Sequence, residues 1–365
     1  MICKHFGVCG GCTLPGVPYA EQLAKKRKEL SRLLAMDVPP FIRSPKESGF
    51  RNKVAFVFGP GGVMGHYALN SQRVIKIEEC PVHHPRGNQI AFAFASAFAR
   101  SASSGETGSL LRHLIVRVTD DGREASAMLV VRRNDKRLRA PVKKFLASTE
   151  KPDGFFVNIH DKPGPYMVGD ETIKIEGRSH VKEVVANISY LVSPTAFFQT
   201  NVGAAEQLVK IVTEEIGDAK RVLDLYCGSG LFSLPIAKGG ARVLAIEENR
   251  SAIADSDANV RLNRLSPGQV RFLAARVEDA LTKAAKESWD AVILDPPRQG
   301  CPPHVITSIF EGIRAPRVVY VSCNPEALAK ELPAILKTGY KVSRIQPVDM
   351  FPHTEHIETV VSFRR

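Results

Sequence analysis

The chain has 365 residues, 44% of them hydrophobic, and a formal charge of +12. That length is enough for two or three domains with cores of their own. The apolar stretch at 90–99 is far too short to cross a bilayer, and the opening Met-Ile-Cys-Lys-His lacks the build of a secretion signal. Neither a membrane span nor a secretion signal is therefore expected, and a cytoplasmic monomer is.

The charge is unevenly spread. Residues 1–190 hold 29 Lys and Arg against 18 Asp and Glu, and residues 191–365 hold 21 against 20. A front half that carries nearly all the excess points to a polyanion such as RNA, because phosphate contacts supply most sequence-independent affinity.

In chain order, Cys3, Cys9 and Cys12 come first, spaced C-x5-C-G-G-C, and Cys80 is the fourth cysteine of the front half. Tight glycine-bearing spacing lets one loop aim three thiolates at one centre, which a distant fourth closes. Four thiolates suit tetrahedral zinc or an iron–sulfur cube. One C-x2-C pair instead of two favours iron–sulfur, while His5, His83 and His84 keep zinc open as substitute ligands. Residues 19–35 read as an amphipathic helix, with Leu23, Leu30, Leu33 and Leu34 on one stripe and Lys25-Lys26-Arg27-Lys28 on the other, facing RNA or water. Gly49-Phe-Arg51-Asn-Lys53 leads into a hairpin with a glycine-rich turn at 59–62. Its two cations would hold phosphate or act as edge charges.

A helix at 90–102 and strands at 114–118, 127–131, 154–159 and 171–175 predict a separate β-rich α+β region. From 221 onward strands and helices alternate, which predicts a parallel sheet covered on both faces. The expected organisation is a metal segment with basic helix and hairpin over 1–90, a β-rich RNA-binding domain over 91–190, and an α/β catalytic domain over 191–365.

Within the last part, Asp224-Leu-Tyr226-Cys-Gly228-Ser-Gly230 is a strand entering a glycine turn, and the next strand ends in Glu247-Glu248. A carboxylate there can accept both hydroxyls of a ribose, yet the loop lacks the third glycine of the dinucleotide fingerprint. The combination resembles the class I S-adenosylmethionine-dependent methyltransferases, with a Rossmann-like fold. Downstream, a strand ends in Asp295-Pro-Pro-Arg298, and another, 318–321, ends in Ser322-Cys323-Asn324-Pro325. Cys323 thus stands at a strand's carboxyl end, where open α/β sheets bind ligands. Amine methylation needs no thiol. Carbon 5 of uracil does, because thiolate addition at carbon 6 turns the ring into an enolate that can attack a methyl group. A base must then remove the carbon 5 proton, and the loop 349–358 offers carboxylates.

Phe197-Phe198-Gln199-Thr200-Asn201, the glycine turn, Asp295-Pro-Pro-Arg-Gln-Gly, Ser322-Cys323-Asn324 and Asp349-Met-Phe-Pro-His353-Thr with His356-Ile-Glu358 are similar to the RNA (uracil-C5) methyltransferases. The front cysteines and Gly-Phe-Arg-Asn-Lys extend the resemblance over nearly the whole chain. It is nearest to short bacterial members that act on 23S ribosomal RNA, which lack a preceding RNA-binding β-barrel. The resemblance implies Cys323 as nucleophile and Glu358 as base. It further implies Gln199, Tyr226, Glu247 and Asp295 as S-adenosylmethionine contacts, and Cys3, Cys9, Cys12 and Cys80 as ligands of a [4Fe–4S] cluster. Transfer RNA, another nucleobase, or a non-catalytic RNA-binding role are the alternatives.

Overall fold

The β-branched and aromatic runs of the front half assemble into a seven-stranded sheet. Its strands are β1 (Lys53–Phe58), β2 (Met64–Tyr67), β3 (Val74–Lys76), β4 (Leu111–Val118), β5 (Ala125–Val131), β6 (Gly154–Ile159) and β7 (Glu171–Gly177), in the order β3-β2-β1-β4-β5-β6-β7. The structure, a computed structural model, describes residues 3–14, 16–102, 105–162 and 167–365. Helices Pro85–Ala102 and Arg139–Leu146 cover one face, where Phe94 stacks on Phe98 at 4.1 Å and meets Phe145 edge-on. Ile115, Met128, Val130 and Phe156 fill the other face. Cover on both sides explains why β5 reads as a nearly unbroken apolar run and why every residue of β4 but Arg112 is buried.

This sheet corrects the expected boundary at residue 90, because β1 from before it pairs along its length with β4 from after it. It also corrects the edge-charge reading of Lys53, whose Nζ donates to the Ala196 carbonyl at 3.4 Å and whose ammonium is so buried that its pKa falls to about 7.

A two-stranded ribbon, β8 (Val181–Val185) and β9 (Ile188–Val192), follows. The second large sheet holds β10 (Arg221–Leu225), β11 (Arg242–Glu247), β12 (Val270–Ala274), β13 (Ala291–Leu294), β14 (Arg317–Ser322), β15 (Lys341–Val348) and β16 (Glu358–Arg364). Their order is β12-β11-β10-β13-β14-β16-β15. The first five run parallel, and β16 is inserted antiparallel between β14 and β15. Successive side chains of β10 feed opposite cores: Val222 packs with Val243 and Ile293, and Leu223 with Ile246 and Val292. This is the doubly wound, Rossmann-like arrangement that the alternating pattern predicts.

Two front segments belong to this second core. The ribbon's Val181, Val185 and Tyr190 are buried in it, and Asn259 and Asn263 bind the backbone of Leu191 and Ser189. The catalytic unit therefore begins before residue 191. Helix Tyr19–Leu34 places Leu30 and Leu34 in the same core as Leu223, Leu294 and Tyr320. Burying each leucine stabilises that contact by about 1.5–3 kcal/mol. Among the described residues no helix is long and apolar enough to cross a membrane.

Candidate active site

Five expected site residues stand in a row on one edge of the second sheet. Glu247 ends β11, Tyr226 follows β10, Asp295 follows β13, Cys323 follows β14, and Glu358 opens antiparallel β16. With strands about 4.8 Å apart, the row spans roughly 20 Å. Cys323 and Glu358 face each other across the end of the β14–β16 pairing: Cys323 follows Ser322, Glu358 precedes its partner Thr359, and the carboxylate acts on the thiol.

Electrostatics at this end favour neutral groups. Burial pushes the half-buried Cys323 thiol up to about 12, with Glu358 and Asp295 adding to the shift and Arg298 opposing it. Glu358, only 4% exposed, is held well above the usual carboxylate range by burial and by Asp295, again opposed by Arg298. The thiol opens onto a cleft of about 590 Å³ whose wall includes Leu14, Lys25, Lys26, Arg298 and Glu355. Asn324 caps the following helix and fixes the Arg298 turn by donating from Nδ2 to the Arg298 carbonyl at 2.8 Å.

At the other end, Glu247 accepts hydrogen bonds from the N–H of Gly228 at 3.0 Å and of Asn249 at 2.8 Å, which hold its carboxylate at the glycine turn. Gly228 sits at φ +53 with open space where a Cβ would project, and Tyr226 takes the uncommon φ of +63. The buried Tyr226 hydroxyl bonds to no nitrogen or oxygen of a described residue and lies against the Cys301 thiol. Asp295 is pushed up to about 8, mainly by burial, then by Asp224 and Glu247. A glycine cradle and an oriented carboxylate are what an adenosine-bearing ligand needs. Gln199 enters from outside the sheet, half-buried in the loop before helix Val202–Ile216, and its side chain makes no hydrogen bond to a described residue.

The structure brings all four front cysteines together as well. Cys3, Cys9, Cys12 and Cys80 line one cavity of about 690 Å³ with Arg51, Lys53, His66 and His83, and the loop residues Phe197, Phe198 and Thr200 close it. All seven cysteines of the chain are unpaired. Burial pushes Cys12 up to about 12 and Cys80 up to about 11, and the thiols raise one another further. A donor set whose members oppose each other's ionisation fits a cationic centre, which removes that opposition. Among the described residues, one ligand atom each from Cys80, His66 and His83 lie within 4.8 Å of one another, close enough to share a metal ion. Of the histidines expected as substitutes, His84 is not among the residues lining this cavity, and its ring accepts from the Arg86 N–H instead.

Sequence reasoning missed three participants. Arg298 was visible in the Pro-Pro turn, but its effect on Cys323 and Glu358 depends on the folded turn. His66 carries no spacing signal toward Cys80. Lys26 sits in a basic run expected on a polar face, yet its side chain is 2% exposed and its Nζ lies 2.7 Å from Asp349 Oδ1.

Comparison with known proteins fits this geometry. An uncharacterized RNA methyltransferase of Thermosynechococcus vestitus is 33% identical over 96% of this chain and 81% of its own length. One of Caldanaerobacter subterraneus is 32% identical over 100% of this chain and 84% of its own. The crystal structure of the Pyrococcus abyssi tRNA (uracil-54, C5)-methyltransferase in complex with S-adenosyl-L-homocysteine superposes with a TM-score of 0.82, at 28% identity, over 97% of this chain and 85% of that one. Residues 168–365 match the family described as tRNA (uracil-5-)-methyltransferase, and with relatives of this similarity over the full chain, the protein belongs to that family.

Proposed function

We propose that the protein methylates carbon 5 of a uracil in RNA, with 23S ribosomal RNA as the substrate. The observation that carries this reading is the facing pair of Cys323 and Glu358 on the sheet edge, beside a cradle suited to an adenosine. S-adenosylmethionine, when bound, supplies an electrophilic methyl on a sulfonium. Gln199, Tyr226, Glu247 and Asp295 would hold it.

The Cys323 thiol gives up its proton to water in the open cleft and adds as thiolate to carbon 6, and the carbon 5–carbon 6 π pair moves toward the carbonyl at carbon 4 as an enolate. Arg298 favours this step by opposing the rise of the thiol's pKa. Carbon 5 then takes the methyl and still carries its hydrogen. Glu358, ionised, removes that proton; the carbon 5–hydrogen pair restores the double bond, and the carbon 6–sulfur pair departs with Cys323. Burial that raises the pKa of Glu358 makes its carboxylate a stronger base for this elimination.

Cys3, Cys9, Cys12 and Cys80 are the proposed ligands of a [4Fe–4S] cluster with a structural or RNA-positioning role, since methyl transfer to an enolate is a two-electron polar step. The strongly basic front region, β1 to β7, is the proposed RNA-binding surface. Transfer RNA is the second reading, favoured by the substrate of the Pyrococcus relative.

Release of tritium from RNA labelled at carbon 5 of uridine tests the activity and separates the substrates. Release from a 23S transcript and not from tRNA is expected, and it requires S-adenosylmethionine. Release from tRNA alone would reassign the substrate, and release from neither would refute the activity. Protein purified anaerobically is expected to carry about four iron and four sulfide per chain. Colourless protein with one zinc would replace the cluster by a mononuclear site.

A further inference from the structure

The loop between β15 and β16 ends at Glu358, and Thr13, Leu14, Gln22 and Lys26 grip it at three points. At its start, Lys26 Nζ donates to Asp349 Oδ1 at 2.7 Å and to the Phe351 carbonyl at 3.1 Å. At its middle, His353 is surrounded. Its N–H donates to Gln22 Oε1 at 2.7 Å, its Nδ1 pairs with Gln22 Nε2 at 3.1 Å, and its Nε2 meets the Glu47 carbonyl at 2.8 Å. Its own carbonyl accepts from the N–H of Thr13 and of Leu14, both at 3.0 Å. At its end, the Glu355 N–H donates to Thr13 Oγ1 at 2.9 Å.

Two features of this grip are costly unless position matters. A lysine and an aspartate are withdrawn from water where packed apolar side chains would serve the fold as well. His353 also takes φ +66, a left-handed conformation that a side chain of its size seldom adopts and that persists only where neighbours over-determine it. The pairing with Gln22 is such a constraint. It also fixes the imidazole: since the Glu47 carbonyl can only accept, Nε2 carries the proton and Nδ1 accepts from Gln22. The same segment forms a wall of the Cys323 cleft through Leu14, Lys25 and Lys26, and it begins one residue after Cys12.

We infer that Thr13, Leu14, Gln22 and Lys26 form a clamp that sets the catalytic base, with Gln22 and His353 as positioning residues for Glu358 and Thr13 joining the cysteine loop to the same strap. The inference rests on the uracil-C5 reading and adds to it a link between the front segment and one particular step, elimination. Addition at carbon 6 depends on Cys323, which β14 holds independently of this loop.

The test uses full-length protein, S-adenosylmethionine and uridine-containing RNA, with the variants Gln22→Ala and His353→Gly. Glycine keeps the positive φ free of strain, so that only the side chain's bonds are lost. Misplacing a general base by about an ångström can slow its step by about 100-fold. The expected result is a fall in kcat of about ten- to hundred-fold, KM for RNA within about two-fold of wild type, and accumulation of methylated RNA covalently bound through Cys323. Because the two residues serve one contact, the double variant should be no slower than the worse single one. Thr13→Val, at an exposed position, supplies a test if His353→Gly does not fold. It should raise the covalent fraction more modestly and speed hydrogen exchange at the amide of Glu355. Wild-type kcat and covalent fraction in these variants, or a change in KM alone, would overturn the clamp while leaving the activity standing. Absence of tritium release by the wild-type protein would overturn both.

Discussion

Cys323 and Glu358 share an electrostatic problem, since each holds its proton more tightly than in water and the carboxylate adds to the thiol's shift. The sign has a measurable consequence. A thiol raised from about 9 to about 12 is almost wholly protonated at pH 7–8, so alkylation of Cys323 by iodoacetamide in the free protein should be slower than that of an ordinary thiol. Its rate should climb about tenfold per pH unit without levelling off near pH 9. Arg298→Ala removes the cation that opposes the shift and should slow alkylation further at any fixed pH below the plateau. A rate that levels near pH 9, or that Arg298→Ala leaves unchanged, would show that this electrostatic reading is wrong. The residues of the pair were legible from motif and strand ending. Arg298 was not, because its influence arises only when Asn324 pins the turn against the next strand.

At the scale of elements, helix Tyr19–Leu34 was legible as a stripe of leucines, but its partner was not. Lys26 lies within four consecutive basic residues, and nothing local distinguishes it from its neighbours. Its burial depends on Asp349, 323 positions away in sequence. Breaking such a pair from one side leaves a buried charge alone, so Lys26→Met should destabilise the protein by about 3–5 kcal/mol. Urea unfolding of the variant checks this. A midpoint equal to that of the wild type would mean that Asp349 reaches water or takes a proton without cost. The ribbon β8–β9 was missed for a different reason: its strands are five residues each, and the free backbone edge of β9 is satisfied by Asn259 and Asn263, far away in sequence.

At the scale of the whole molecule, the doubly wound half was readable because its helices and strands alternate in sequence. The front half was not, since one sheet draws its strands from both sides of residue 90 while helix Tyr19–Leu34 crosses to the other core. Charge asymmetry carried the RNA expectation, and the cysteine cavity gave the four thiols a common place that spacing alone only suggested. The front and back of the chain meet at the strap 13–14 to 353–355. That meeting is the reason a segment so far from Cys323 in sequence forms part of its cleft.

The central claim is covalent catalysis by Cys323, and RNA carrying 5-fluorouridine tests it most directly, because fluorine at carbon 5 cannot leave as a proton. Wild-type protein with S-adenosylmethionine should form a complex that survives denaturing electrophoresis, while Cys323→Ala binds the RNA and forms none. With ordinary uridine, Glu358→Gln should accumulate the same kind of complex and release it about 100- to 10,000-fold more slowly than wild type. RNA bound by wild-type protein without any covalent complex, or a covalent complex retained in Cys323→Ala, would contradict the account.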